Sequence, residues 1–398
     1  MDHTRTNDGR AQGDGPEEPE ENDGPEQGGR PGPHHEPAPD GKPGAGDERG
    51  ADDERGAGVL PGPGFRPGVP PAAAAPRSRL RRWARRTALT CAGLLVAVTA
   101  ASFAYNAVTS GRAAPPPGLT YVEAAGIHTR YEAWGTQGTP VVLVHGAFES
   151  ADTWSRLAPL LARDHRVYAL DLTGSGYSER SGPYTVDHLT RQLLGFLDAM
   201  RLGGAPGERP VLVGHSSGAA MVAEAALRAP GWIGGVMLLD GDALDTGAGP
   251  PPGLRYVLID PYRTTLLRLG LGSDWLIRRV YNAQCGPGCP RLEGAELDRW
   301  RRPLRVAGAE GALWSMLGEG VPGMSAERLT GLRRVDLPKA AVFGEGDDVF
   351  SARTPAETAE RIGAPAPTLI PGARHLTMIS SPDAVAAAVE RLAGRTAR

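Results

Sequence analysis

Ser216 is the residue around which the chain's chemistry can be organised. It sits in Gly214-His215-Ser216-Ser217-Gly218, between the apolar run Val211-Leu212-Val213 and the helix-forming run Ala219-Ala220-Met221-Val222-Ala223. A G-x-S-x-G at a sharp strand-to-helix turn holds its serine in a strained backbone conformation and exposes the hydroxyl at the carboxyl edge of a sheet. In a chain with 55 glycines the bare motif arises easily, so it is the strand and helix on either side that single out Ser216 as the nucleophile. The plain alternative is a turn serine.

A serine hydroxyl is a weak nucleophile at neutral pH, so the assignment requires a general base, an orienting acid and an oxyanion hole. Pro367-Thr368-Leu369-Ile370 reads as a short strand, and the loop after it delivers His375 ahead of a final helix starting near Ser381-Pro382; His375 is the candidate base. Upstream, Ala340-Ala341-Val342-Phe343-Gly344 is an apolar strand followed by carboxylates, and Asp347 is preferred there as the acid over its neighbour Asp348. Asp240 and Asp242, after the strand Gly235-Val236-Met237-Leu238-Leu239, are the other acid candidates, each with a loop-cap reading beside it. His145 and His215 flank the site in supporting roles, and His128, His165 and His188 read as solvated histidines.

The order Ser, Asp, His along the chain, together with Val141-Val142-Leu143-Val144-His145-Gly146-Ala147-Phe148 and Asp171-Leu172-Thr173-Gly174-Ser175-Gly176-Tyr177-Ser178, resembles the α/β-hydrolase superfamily, specifically its serine esterase and lipase-like members with a helical lid. The likeness runs from about Leu119 to the C-terminus. It implies an oxyanion hole made by the backbone N–H groups of Ala147 and Ser217, and chemistry that needs no metal or organic cofactor. A serine at the nucleophile position disfavours the superfamily members that resemble this pattern but use aspartate.

The elements that would position these groups alternate strand with helix. That pattern implies an α/β class fold: a mostly parallel eight-stranded sheet with helices on both faces, its strands near 120–125, 128–134, 140–144, 166–170, 210–214, 234–240, 339–344 and 366–370. The core would comprise 119–240 and 338–398. Residues 241–337 are far more than a connecting loop needs, and their helical periodicity predicts a lid. Trp275, Trp300 and Trp314 would either line an acyl pocket or pack the lid helices together.

Ahead of the core, residues 1–76 are dominated by Gly, Pro, Asp and Glu and predict a disordered tail. Residues 77–86 are basic. An uncharged stretch over 87–111 follows, long enough for one transmembrane helix, and 112–118 read as a linker. Arginines before the span keep that side cytoplasmic and place the hydrolase outside the cell membrane; a secreted form cleaved from this segment, or a buried soluble helix, are the alternatives. Cys285 and Cys289, four residues apart, could oxidise outside the cytoplasm, whereas Cys91 has no evident partner. A net charge of −3 argues against nucleic-acid binding, and lysine appears only at Lys42 and Lys339. The expected function is cleavage of carboxylic esters on a small-molecule substrate through an acyl-enzyme. Amide, peptide or C–C bond hydrolysis on the same fold, or a non-catalytic envelope-binding protein, are the alternatives.

Overall fold

The computed structural model describes residues 77–205, 207–245, 247 and 259–396; the expected tail over 1–76 lies outside the described residues. The chain enters as one long helix, α1 (Arg77–Val108), in which the basic segment and the apolar stretch are continuous. It is long and apolar enough to cross a membrane, its most apolar window having a mean hydropathy of 1.8. The large side chains Leu89, Leu94, Leu95, Val96 and Phe103 are all exposed along it.

Beyond α1 the strands are β1 (Thr120–Ala124), β2 (Ile127–Trp134), β3 (Pro140–Val144), β4 (Arg166–Leu170), β5 (Val211–His215), β6 (Gly235–Leu239), β7 (Lys339–Gly344) and β8 (Thr368–Ile370). Their boundaries fall within two residues of those expected from the sequence. Among the described residues they form one eight-stranded sheet in the order β1-β2-β4-β3-β5-β6-β7-β8. Only the β1–β2 and β2–β4 pairings are antiparallel.

Neighbouring residues on the central strands point to opposite faces. Val141 and Leu143 join one apolar cluster with Trp154, Leu157, Val389 and Leu392, while Val142 and Val144 join another with Leu193, Phe196, Met221 and Val222. This explains why β3, β5 and β6 read as unbroken apolar runs, since both faces are covered. Each such aliphatic side chain stabilises the fold by about 1.5–3 kcal/mol relative to exposure. The covering helices are α2 (Ala158–Leu161), α3 (Val186–Ala199) and α4 (Gly218–Arg228), with α10 (Thr354–Ile362), α11 (Thr377–Ser380) and α12 (Pro382–Thr396) at the end of the chain. In α4 six of the first nine positions are glycine or alanine; their small size lets the helix backbone lie close to the sheet, and all nine are buried.

Between β6 and β7 the chain forms the helices α5 (Tyr262–Gly272), α6 (Asp274–Cys285), α7 (Gly294–Arg301), α8 (Ala309–Glu319) and α9 (Ala326–Thr330). Cys285 and Cys289 are paired in a disulfide that closes the turn after α6. Within 112–118, Ala113 is docked on the domain that follows. The Ala113 N–H donates to the Arg305 carbonyl at 3.0 Å, and Ala113 and Leu119 pack on Tyr177, Val306 and Ala309.

Candidate active site

β5 ends at His215, and the next residue, Ser216, has φ of 50°, the left-handed region that costs a side chain strain. The turn is held from both sides: the Ser216 N–H donates to the Leu239 carbonyl of β6 at 3.0 Å, and α4 starts two residues later. Gly214 and Gly218 make the turn possible. A β-carbon on Gly214 would strike the Gly218 carbonyl, and one on Gly218 would strike the carbonyls of Val144 and His145.

The loop after β8 brings His375 to the serine. The Ser216 hydroxyl lies 3.2 Å from His375 Nε2, and His375 Nδ1 lies 2.9 Å from Asp347 Oδ2, so Nδ1–H donates to the carboxylate and Nε2 is left to accept from the hydroxyl. The imidazole and carboxylate are almost fully buried, their side chains 6% and 3% exposed. Asp347 is oriented further by the Val349 N–H, which donates to its other oxygen at 3.0 Å.

The remaining acid candidates are placed elsewhere. Asp348 is exposed. Asp242 accepts from the Leu244 N–H at 3.0 Å, the loop-cap arrangement. Asp240 is fully buried and ties strands together, accepting from the Gly344 N–H at 2.8 Å and from the Thr377 hydroxyl; burial pushes its carboxyl up to about 7.

The loop carrying Gly146 and Ala147 runs against the nucleophile, so closely that a β-carbon on Gly146 would come 2.9 Å from Ser216 Cβ. His145 holds it from below, accepting from the Leu172 N–H at 3.0 Å. Ala147 and Ser217 both border a cleft that encloses about 400 Å³ of empty space, open solvent at its mouth included. Leu172, Leu189 and Met221 from the core and Met316, Val321 and Pro322 from the lid supply most of its apolar wall. None of the three candidate tryptophans is in that wall. Trp275 is exposed, Trp300 packs edge-on against Tyr281 and lines a neighbouring pocket on the other side of Phe148, and Trp314 lies under the Arg263 guanidinium, so flexible or compact side chains shape this cleft.

Behind the serine lies an ion pair that sequence reasoning missed. His215 Nδ1 is 3.0 Å from a Glu149 carboxylate oxygen and Nε2 is 2.8 Å from the His375 carbonyl oxygen. Both partners only accept, so both ring nitrogens carry protons and the ring is an imidazolium. Burial alone would lower its pKa, but the Glu149 carboxylate outweighs burial and raises it to about 9. Glu149 also accepts from the Gly146 N–H at 3.0 Å, and its own pKa is lowered because the charge on His215 overcomes the cost of burial. One carboxylate thus ties the Gly146 loop to the elbow, and the elbow histidine ties both to the His375 backbone. The available signal was a lone acid three residues after Gly146, with nothing in the spacing to show that residues 66 apart would meet.

Set beside known proteins, residues 141–388 match the family model described as the alpha/beta hydrolase family. A 2-hydroxy-6-oxo-6-(2'-aminophenyl)hexa-2,4-dienoic acid hydrolase from Metapseudomonas resinovorans is 38% identical over 104 residues, which is 25% of this chain and 34% of that protein. A pimeloyl-[acyl-carrier protein] methyl ester esterase from Edwardsiella ictaluri is 26% identical over 269 residues, 64% of this chain and 95% of that protein. Among solved structures, a serine hydrolase involved in carbazole degradation superposes with a TM-score of 0.55 at 24% identity, covering 69% of this chain and 98% of that one.

Proposed function

This chain belongs to the alpha/beta hydrolase family, whose model spans well over half of it, and from that premise we propose that it is a serine hydrolase cleaving carboxylic esters. The observation that carries the reading is the continuous chain of hydrogen bonds from Asp347 through His375 to a strained Ser216 beside an apolar cleft.

In the proposed reaction Ser216 Oγ attacks the ester carbonyl carbon as its proton passes to His375 Nε2. Asp347 stabilises the imidazolium that results and keeps the ring in the required tautomer. The oxyanion is received by the N–H groups of Ala147 and Ser217, each worth roughly 2.7–4 kcal/mol in the transition state for sites of this type. Collapse expels the alcohol, which takes its proton from His375, and leaves an acyl-Ser216 ester. Water then attacks that ester with His375 as base, returning the free serine and the carboxylic acid.

The cleft supports an uncharged acyl group, because no arginine or lysine is among the described residues that line it. Hydrolysis of a C–C bond in an anionic substrate is the second reading, favoured by the dienoic acid hydrolase relative and by Arg156, Arg291 and Arg299 in a neighbouring pocket across Phe148. Those cations share their pocket with Asp152, Glu149 and Glu296, which weakens its pull on an anion.

We read α1 as a single membrane span with the arginines of 77–86 inside and the hydrolase domain outside. The pairing of Cys285 with Cys289 supports an oxidising compartment.

The reaction is tested by rapid mixing with a p-nitrophenyl ester. A burst of p-nitrophenol equal to the enzyme concentration, absent in Ser216→Ala, is expected from an acyl-enzyme. Hydrolysis that proceeds without a burst even when deacylation is made limiting, or turnover confined to 2-hydroxy-6-oxo-dienoates, contradicts the ester reading.

A further inference from the structure

The polar residues Thr99, Ser102 and Asn106 in the outer half of α1, with Thr109 just past its end, share one face. Thr99, Ser102, Asn106 and Thr109 recur at intervals of three and four and so form a single stripe along the helix. α5 of the lid covers that stripe. The Thr99 hydroxyl donates to the Leu95 carbonyl and meets the Tyr262 hydroxyl, Asn106 Nδ2 donates to the Pro261 carbonyl at 2.9 Å, and the Thr265 hydroxyl donates to Asn106 Oδ1 at 3.0 Å. Within hydrocarbon such groups need partners inside the protein, and α5 supplies them.

The outer end of α1 is clamped to the same lid. Arg268 donates to the Asn106 carbonyl at 2.6 Å and to the Thr109 hydroxyl at 3.2 Å, a cation at a helix C-terminus, and grips Glu310 at 2.7 and 3.0 Å. Glu310 also takes Arg112 at 3.1 Å. α5 therefore runs alongside the last ten or so residues of the apolar helix, at the depth of one leaflet.

Beside the exposed Asp260–Arg263 ion pair at its start, α5 leaves an apolar strip uncovered. Leu266 and Leu269, one turn apart, are 52% and 51% exposed, and Ile259 just ahead of the helix is equally open. At the start of α6, Trp275 is 68% exposed with the Arg279 guanidinium 5.8 Å from its ring, and Val280 is exposed beside them. Leucines next to a membrane-crossing helix, bordered by tryptophan and arginine, have the composition of a helix lying in the headgroup region. The helix that anchors Glu310, α8, is also the one that places Met316 in the cleft, so the lid wall of the cleft is tied to the same end of α1.

We propose that α5 and the start of α6 are embedded in the outer-leaflet interface of the bilayer, packed on α1, so that the lid is a membrane-bound surface and the cleft meets esters carried by that bilayer. The proposal rests on α1 spanning the membrane. Its occupant is the lipid surface, in continuity with the apolar exposed face of α1.

The test uses the full chain with Cys91→Ser, an environment-sensitive fluorophore on Leu269→Cys or, as a control on the exposed face of α10, on Glu357→Cys, in vesicles of phosphatidylcholine with a minority of phosphatidylglycerol. The label at 269 should be blue-shifted, quenched by lipid carrying a shallow doxyl group and shielded from iodide, while the label at 357 should behave the opposite way. Iodide quenching at 269 with the chain resistant to carbonate extraction overturns the proposal and leaves the span intact. Protection of 269 from both quenchers overturns it in favour of a second protein surface. Release of the chain by carbonate removes the span reading and the proposal together. As an independent measurement, Leu266→Glu with Leu269→Glu should lower hydrolysis of a vesicle-borne long-chain ester about tenfold while sparing a water-soluble short ester. Equal loss on both substrates contradicts the proposal.

Discussion

The carboxyl edge of the sheet and the outer face of the lid handle charge in opposite ways. At the sheet edge the charged side chains are buried and each meets its partner at one distance: Glu149 and His215 are 7% and 0% exposed, Asp347 and His375 are 3% and 6%. In the lid the pairs Arg299–Glu296 and Arg278–Asp274 leave every member more than 40% exposed. Exposed pairs contribute about 0–1 kcal/mol, whereas removing one member of a buried pair costs about 3–5 kcal/mol. The chemistry is therefore built on a rigid base, and the surface that selects and receives substrate is left free to vary.

The largest effect should come from the acid at the sheet edge. Asp347→Asn leaves His375 without the carboxylate that sets its tautomer, and turnover should fall by about three to four orders of magnitude with the melting temperature little changed. Asp348→Asn, one residue away and exposed, should stay within about twofold. Comparable losses in both variants would break the distinction between the buried network and the surface beside it.

Glu149→Gln tests the ion pair. The amide oxygen can still accept from Gly146 and His215 but carries no charge, so the buried imidazolium would lose its counter-charge and stability should drop by about 3–5 kcal/mol. The pH dependence sharpens this. The His215 pKa is raised to about 9 in the folded chain, against about 6.5 unfolded, so the pair's contribution is complete below about pH 6.5 and is lost as pH rises through about 9. Asp240, raised to about 7 by burial, acts lower, its effect developing between about pH 4 and 7. Wild-type melting temperature should therefore fall between pH 7 and 9, and that step should be absent in Glu149→Gln.

In the lid, Met316→Ala enlarges the cleft wall without touching the triad. It should change the preference between short and longer acyl chains by about tenfold in kcat/KM, with stability nearly unaffected. The smallest effect belongs to Arg328→Ala on α9. Arg328 is half exposed and Glu224 keeps Arg228 at 2.7 Å, so thermal denaturation should register less than about 1 kcal/mol.

The same contrast explains what could be read in advance. β3, β5 and β6 were legible because burial on both faces writes them as continuous apolar runs, and the meeting of Ser216, Asp347 and His375 because a strand end or the loop after it carries each one. Glu149 was not, since its partner is set by how two strand-end loops fold over each other. Which lid tryptophan meets a pocket was not legible, because helical periodicity shows that a helix has an apolar side but not which neighbour that side meets: Trp300 lines the pocket across Phe148, while Trp275 is exposed and Trp314 lies under Arg263. The linker expected over 112–118 likewise gave no sign of its docking on Val306 and Ala309.

The central claim is that the buried network activates Ser216 and no other serine. Treating the folded chain with a fluorophosphonate and locating the adduct by peptide mass spectrometry tests it directly. The account predicts one phosphonylated residue, Ser216, with labelling lost in Ser216→Ala and slowed in Asp347→Asn. An adduct on a different serine, or undiminished labelling of Ser216→Ala, would contradict it.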